Sequence, residues 1–127
     1  MKILLTFFVL FFSSIIYADV YYCVEEESIG FIPSENFRQA NYTEEKYTLE
    51  IDFEKQTIDS RDIGMPKGYA SCRKYHFYEN VMQCSGVLGG RDFTLNLNTM
   101  IFSYTTTYLT DEMEDGLNLS WGKCQKF

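Results

Sequence analysis

In Tyr47-Thr48-Leu49-Glu50-Ile51-Asp52-Phe53-Glu54 an apolar side chain alternates with a polar one at every step. Successive side chains of a strand point to opposite faces, so a period of two with charges on one side describes an antiparallel strand, half buried and half in water. Phe93, Leu95 and Leu97 alternate in the same way with Thr94, Asn96 and Asn98, as do Leu117, Leu119 and Trp121 with Asn118, Ser120 and Gly122. No stretch sustains an amphipathic helical period. The apolar faces of this chain must therefore meet as sheets.

The other strands follow from composition and turn residues. Asp19 to Val24 is rich in β-branched and aromatic residues and reads as a first strand, which Glu25, Glu26, Glu27 and Ser28 break. From Ile29 to Thr43, Gly30, Pro33, Ser34, Asn36 and Asn41 recur too often for a long regular element; Ser34 to Ala40 has room for one helical turn with Ser34 as its cap. Long loops in compact domains serve function or mobility, which makes Phe31, Phe37 and Tyr42 candidate binding residues. Glu54-Lys55-Gln56 turns into a weaker strand, Thr57 to Ile63, and Gly64, Pro66 and Gly68 punctuate the next loop. Cys72 to Cys84 reads as a hairpin turning at Glu79-Asn80, and Gly86, Gly89 and Gly90 form a flexible connection that carries Arg91, a further candidate for binding. Met100 to Leu109 is a long strand, and an acidic loop, Asp111 to Gly116, precedes the last. The expectation is one all-β domain, a single antiparallel meander barrel or sandwich of about eight strands. Tyr47 to Asp52 matches Phe93 to Asn98 in residue type at each position, through a duplication or through the sameness of amphipathic strands.

The first residues decide the compartment. Lys2, the apolar run Ile3 to Phe12 and the small residue Ala18 have the layout of a secretory signal peptide, with an apolar core shorter than the roughly 20 residues that span a bilayer. The expected division is a signal peptide at 1–18 and a single β domain at 19–127, exported to the periplasm or beyond the cell. All four cysteines lie in the exported part, at 23, 72, 84 and 124, an even number that reads as two disulfides with three possible connectivities. Cys23 is out of phase with Val20, Tyr22 and Val24, and Cys124 with Leu117, Leu119 and Trp121. First and last strands that place their cysteines on one face can be neighbours as a barrel closes. That favours Cys23 with Cys124 and Cys72 with Cys84, while the internal repeat suggests Cys23 with Cys72 and Cys84 with Cys124.

Charge and chemistry exclude more than they assign. The chain carries 11 basic and 18 acidic residues, a net −7 that becomes −8 once Lys2 is removed with the signal. Nucleic-acid affinity rests on cations that neutralise phosphates, so no nucleic-acid partner is expected, nor a membrane after signal cleavage. The single histidine, His76, lies in a Tyr-His-Phe run with no Gly-x-Ser-x-Gly elbow in the chain. Asp111, Glu112, Glu114 and Asp115 lack the register of a calcium loop, and no Cys-x-x-Cys is present. Glu50, Asp52 and Glu54 read as the solvated side of one strand. No catalytic residue, metal site or cofactor is expected. The reading is a non-enzymatic, exported binding protein for an unknown protein or small ligand, with a small hydrolase or a structural envelope component as competing classes.

Tyr21-Tyr22-Cys23 at the exported start and Cys124 near the end frame a chain that resembles small uncharacterised bacterial periplasmic proteins. The same framing is similar to the periplasmic C-type lysozyme inhibitors, small β-barrels with a cysteine in the first strand and another near the C-terminus. That resemblance implies a loop that enters the lysozyme cleft. The nearest matches here to the family's Ser-Gly-x-x-Tyr-like loop, Ser85-Gly86 and Gly90-Arg91-Asp92-Phe93, do not reproduce it.

Overall fold

A computed structural model describes residues 18–107 and 116–127. The expected signal peptide, apart from Ala18, and the acidic loop, apart from Gly116, lie outside the described residues. Nine strands occur among these: β1 (Asp19–Ile32), β2 (Arg38–Asn41), β3 (Lys46–Asp52), β4 (Thr57–Asp59), β5 (Ala70–Tyr75), β6 (Tyr78–Gly86), β7 (Arg91–Asn96), β8 (Ile101–Thr107) and β9 (Leu117–Lys126). They form one antiparallel sheet in the order β4-β3-β1-β9-β8-β7-β6-β5, with β2 paired to the far half of β1. From β5 to β9 the chain is a meander, and β1 then pairs with β9 over most of its length. The edge strands β4 and β5 come together without a hydrogen-bonded ladder, so the sheet is a barrel closed except at this seam.

The interior is filled by the side chains the alternation singles out. Leu49 and Ile51 of β3, Phe93 and Leu95 of β7, and Phe102 of β8 are fully buried. Phe93 stacks on Phe102 at 5.6 Å between ring centroids, and Tyr47 meets Phe102 edge-on at 5.9 Å. The turn after β4 supplies a plug: Ser60 pairs with Met65, which sinks Ile63 and Met65 into the core. The Tyr104 hydroxyl donates to the Ile63 carbonyl at 3.0 Å and ties this plug to β8.

Both disulfides join residues placed directly opposite each other. Cys23 faces Cys124 where β1 meets β9, and Cys72 faces Cys84 between β5 and β6. The pairing suggested by the internal repeat is not formed. β3 and β7 do carry the two similar stretches, but β3 lies between β1 and β4 and β7 between β6 and β8, so the topology shows no matching halves.

Four local expectations are corrected. The three glutamates do not end the first strand: a β-bulge between Glu25 and Glu27 shifts its phase, so Glu25 points inward, Glu26 and Glu27 both face water, and the strand continues to Ile32. Ile29 to Thr43 is consequently mostly a hairpin, with a 3-10 turn at Pro33–Glu35 that begins from Ile32 without a side-chain cap. The weaker strand ends at Asp59 rather than Ile63. The Cys-bounded hairpin turns at His76-Phe77, because Glu79 and Asn80 extend within β6 and the Asn80 carbonyl accepts the Leu97 amide at 2.8 Å.

The alternation in β9 runs opposite to that in β3 and β7. Ser120, Gly122 and Cys124 point inward, while Leu119 and Trp121 are exposed. A β-carbon on Gly122 would lie 2.0 Å from the Val24 carbonyl oxygen and 2.8 Å from Glu25 Cα, so the bulge of β1 occupies the room a side chain needs.

Candidate functional site

The strand register brings the predicted residues to one end of the barrel. Phe31 pairs with Leu117, Leu117 with Thr107, and the Thr107 amide bonds the Gly90 carbonyl next to Arg91. The β1–β2 hairpin and the glycine loop therefore share an end, although β9 and β8 lie between them. Their side chains do not converge on one point. Phe31 lies on the outer wall, beside a shallow hollow of about 250 Å³ shared with Ile29, Leu117 and Leu119. Phe37 is exposed at the hairpin tip and, like Asn36, is held at a positive φ that bulky residues seldom adopt. The ring of Tyr42 covers Gly30, where a β-carbon would come within 2.4 Å of it.

Arg91 begins β7, half-buried, and its guanidinium lies over Gly64, donating to the Gly64 carbonyl at 3.4 Å. A β-carbon at Gly64, whose φ is +65°, would sit 2.5 Å from that guanidinium. Arg91 thus bridges the glycine loop to the turn after β4, on the barrel's open side. With Arg61, Pro66, Tyr69, Val87 and Leu88 it lines a cavity of about 360 Å³.

The opposite end carries a feature that patterning missed. Residues 73–80 are all exposed, a continuous run from β5 through the tip into β6. It contains Tyr75, Phe77 at 86% exposure and Tyr78, with Arg73, Lys74 and His76 beside them. Cys84, buried in the core, is bonded to Cys72 at the base of this finger. Arg73 clamps it across the strands by donating to Gln83 Oε1 at 2.9 Å, and Lys74 Nζ stands 5.8 Å from the Phe53 ring centroid. The sequence signal for it is the run Tyr75-His76-Phe77-Tyr78 within a Cys-bounded hairpin; a turn placed at Glu79-Asn80 assigns those rings to strand.

The interior holds one polar cluster. Glu25 is buried, accepts the Tyr47 hydroxyl on one carboxylate oxygen and takes the Glu45 amide on the other at 2.9 Å. Burial first, and then the hydrogen bond and charge of Glu25, raise the Tyr47 phenol far above its ordinary value, so it remains a donor. Buried Ser120 lies beside it. Ser85 Oγ bonds Asp92 Oδ1 at 2.5 Å, but His76 stands at the far end of the hairpin, so these three do not assemble as a triad. Asp52 is buried rather than solvated beside Glu50, and accepts the Lys55 amide at 2.9 Å to close the β3–β4 turn. Among the described residues no three His, Cys, Asp or Glu side chains converge as a cation site.

The fold thus defines a small, disulfide-bonded antiparallel β-barrel with an aromatic finger at one end and an arginine-lined cavity at the other. No protein-family model matches the chain, and no curated protein matches it either.

Proposed function

We propose that the chain is an exported, non-enzymatic binding protein that engages a partner protein through the braced finger. The observation that carries this reading is the uninterrupted exposure of residues 73–80, three of them large aromatic side chains. Tyr and aromatic side chains give wide contact area for little conformational entropy and are enriched at interfaces. A solvent-facing Phe77 is unfavourable in isolation, and the Cys72–Cys84 bond holds the finger ready, which lowers the ordering cost of binding. The two disulfides also support a signal peptide at 1–18 and an oxidising destination, periplasmic or extracellular. The test is photocrosslinking in the exporting cell, with a photoreactive amino acid at Phe77 or, as control, at exposed Ser34 in the β1–β2 hairpin on the opposite end. A defined adduct is expected from position 77 alone. Equal labelling from both positions, or none from 77, discards the finger as the binding element.

The finger also supports a second reading, inhibition of lysozyme. A chain of net −8 is attracted to basic lysozymes at long range, and a narrow tip with Arg73, Lys74 and Phe77 suits a cleft that carries paired carboxylates. Lysozyme activity is measured against increasing protein at physiological salt, with Phe77→Ala and Arg91→Ala compared to the wild type. Inhibition lost in Phe77→Ala and kept in Arg91→Ala is expected. No inhibition at micromolar protein removes this reading and leaves partner binding to the crosslinking test.

A further inference from the structure

We propose that the cavity between Arg61 and Arg91 is a binding site for a small ligand with an anionic head and an apolar body. It is independent of the finger and lies at the other end of the barrel. At about 360 Å³ it falls at the small end of the range of about 300–1,000 Å³ typical of small-molecule sites, which suits one small ligand rather than a polymer.

Its lining has two parts. Among the described residues, Arg61 and Arg91 are the charged members of the lining, in a chain where acids outnumber bases 18 to 11. Arg61 takes part in none of the four ion pairs among the described residues. The Gly64 carbonyl and the β7 backbone fix the position of Arg91, so one guanidinium is preorganised while the other is carried on the exposed turn. Guanidinium groups present paired N–H donors that match the oxygens of a carboxylate or phosphate. The remaining lining is Pro66, Tyr69, Val87, Leu88 and three glycines. Tyr69 is 61% and Leu88 94% exposed, an apolar cost with no structural return inside the domain. A hydrocarbon body lying between them restores that burial. Gly89 and Gly90, both at positive φ, let the loop that carries Leu88 follow the ligand.

Decanoate, held below its micelle concentration, is the probe, and the oxidised chain is observed by amide NMR. Decanol and decylammonium have the same body without the anion, and decyl phosphate carries the alternative head. Decanoate or decyl phosphate is expected to shift the amides of Arg61 to Met65 and Val87 to Arg91, and the tighter of the two identifies the head. Losing a charge-assisted pair, worth about 1.5–3 kcal/mol, corresponds to about 10-fold or more in affinity, so Arg61→Gln is expected to weaken binding by at least that factor. Arg91→Gln also removes a brace, so the proposal is judged on Arg61→Gln, which is exposed and whose own spectrum reports whether the fold is intact. Phe77→Ala is expected to bind the probe like the wild type. The proposal is overturned by decanol binding as well as decanoate, by affinity unchanged in Arg61→Gln, by shifts confined to Ile29 and Leu119, or by no binding of either anion at millimolar concentration.

Discussion

Removing Tyr47 and Glu25 is expected to be costly one at a time and much cheaper together. Tyr47→Phe keeps the ring packing against Phe102 and Tyr104, at 5.9 and 6.0 Å between centroids, and deletes only the donor to a buried carboxylate. A hydrogen bond to a charged group contributes about 1.5–3 kcal/mol, and the loss of stability is expected in that range. Glu25→Leu strands the buried Tyr47 hydroxyl, whose loss of a partner costs about 1–3 kcal/mol, and also removes the acceptor of the Glu45 amide, on an exposed residue where water can replace it. The double variant has neither the charge nor the phenol donor, so it is expected to lose at least about 1.5 kcal/mol less than the two single losses added. Urea unfolding of the oxidised protein at pH 7 measures all four corners of the cycle. Additivity within about 0.5 kcal/mol would refute the pairing, since that is the behaviour of independent sites. The pH dependence gives a second readout. The unfolded phenol ionises near 10.0, while burial and the Glu25 carboxylate hold the folded one well above that. Stability from this group is therefore fully present below pH 10 and falls as the pH rises beyond it. Tyr47→Phe removes that part of the decline and leaves the part due to Tyr21, whose phenol is raised by burial and then by Asp19.

The disulfides are expected to differ in worth. Cys23 and Cys124 are separated by 101 residues and Cys72 and Cys84 by 12; chain entropy assigns about 4.7 kcal/mol to a loop of about 100 residues and about 3 to one near 15. Urea unfolding of the two Cys→Ala pairs is expected to show the larger loss for Cys23/Cys124, and the reverse order would contradict the loop argument. Leu95→Ala is expected to cost about 2–5 kcal/mol as a buried truncation, and Leu119→Ala within about 0.5 as a surface one, although the two leucines look alike in sequence. Gly122→Ala, which drives a β-carbon into the Val24 carbonyl, is expected to cost at least about 3 kcal/mol in the same assay, and a smaller loss would mean that the bulge gives way.

What the sequence made legible was local, and what it hid depended on distant residues. The alternation of β3 and β7 follows from adjacent side chains, and it holds in the barrel. Glu25-Glu26-Glu27 reads as a strand break because three charges in a row fit no alternating face. The bulge resolves this by turning two of them outward and sinking Glu25 against Tyr47, 22 residues further on. A regular ladder set by Cys72 opposite Cys84 turns about Tyr78, but a register shift between Lys74 and Tyr75 moves the tip to His76-Phe77. That shift is what exposes the rings of the finger. Arg91 was visible beside its glycine loop; Gly64 and Arg61, which complete the cavity around it, come from the far side of a seam that no ladder crosses.

Strand β9 shows how alternation and disulfide phase differ in what they can decide. Alternation sorts side chains into two sets without saying which set faces inward, and hydrophobicity alone puts Leu119 and Trp121 inside. The phase of the cysteines decides otherwise. Cys23 and Cys124 can bond across β1 and β9 only from the same face, and Cys23 shares that face with Tyr21, which packs in the core. The inward set of β9 is then Ser120, Gly122 and Cys124, small enough to leave room for the bulge of β1, the Glu25 carboxylate and the cystine. The same placement puts Leu119 opposite Ile29 and Trp121 opposite Glu27 on the outer wall, where the indole N–H donates to the Glu27 carboxylate at 3.0 Å. The exposed leucine and tryptophan are thus a consequence of what the interior already contains.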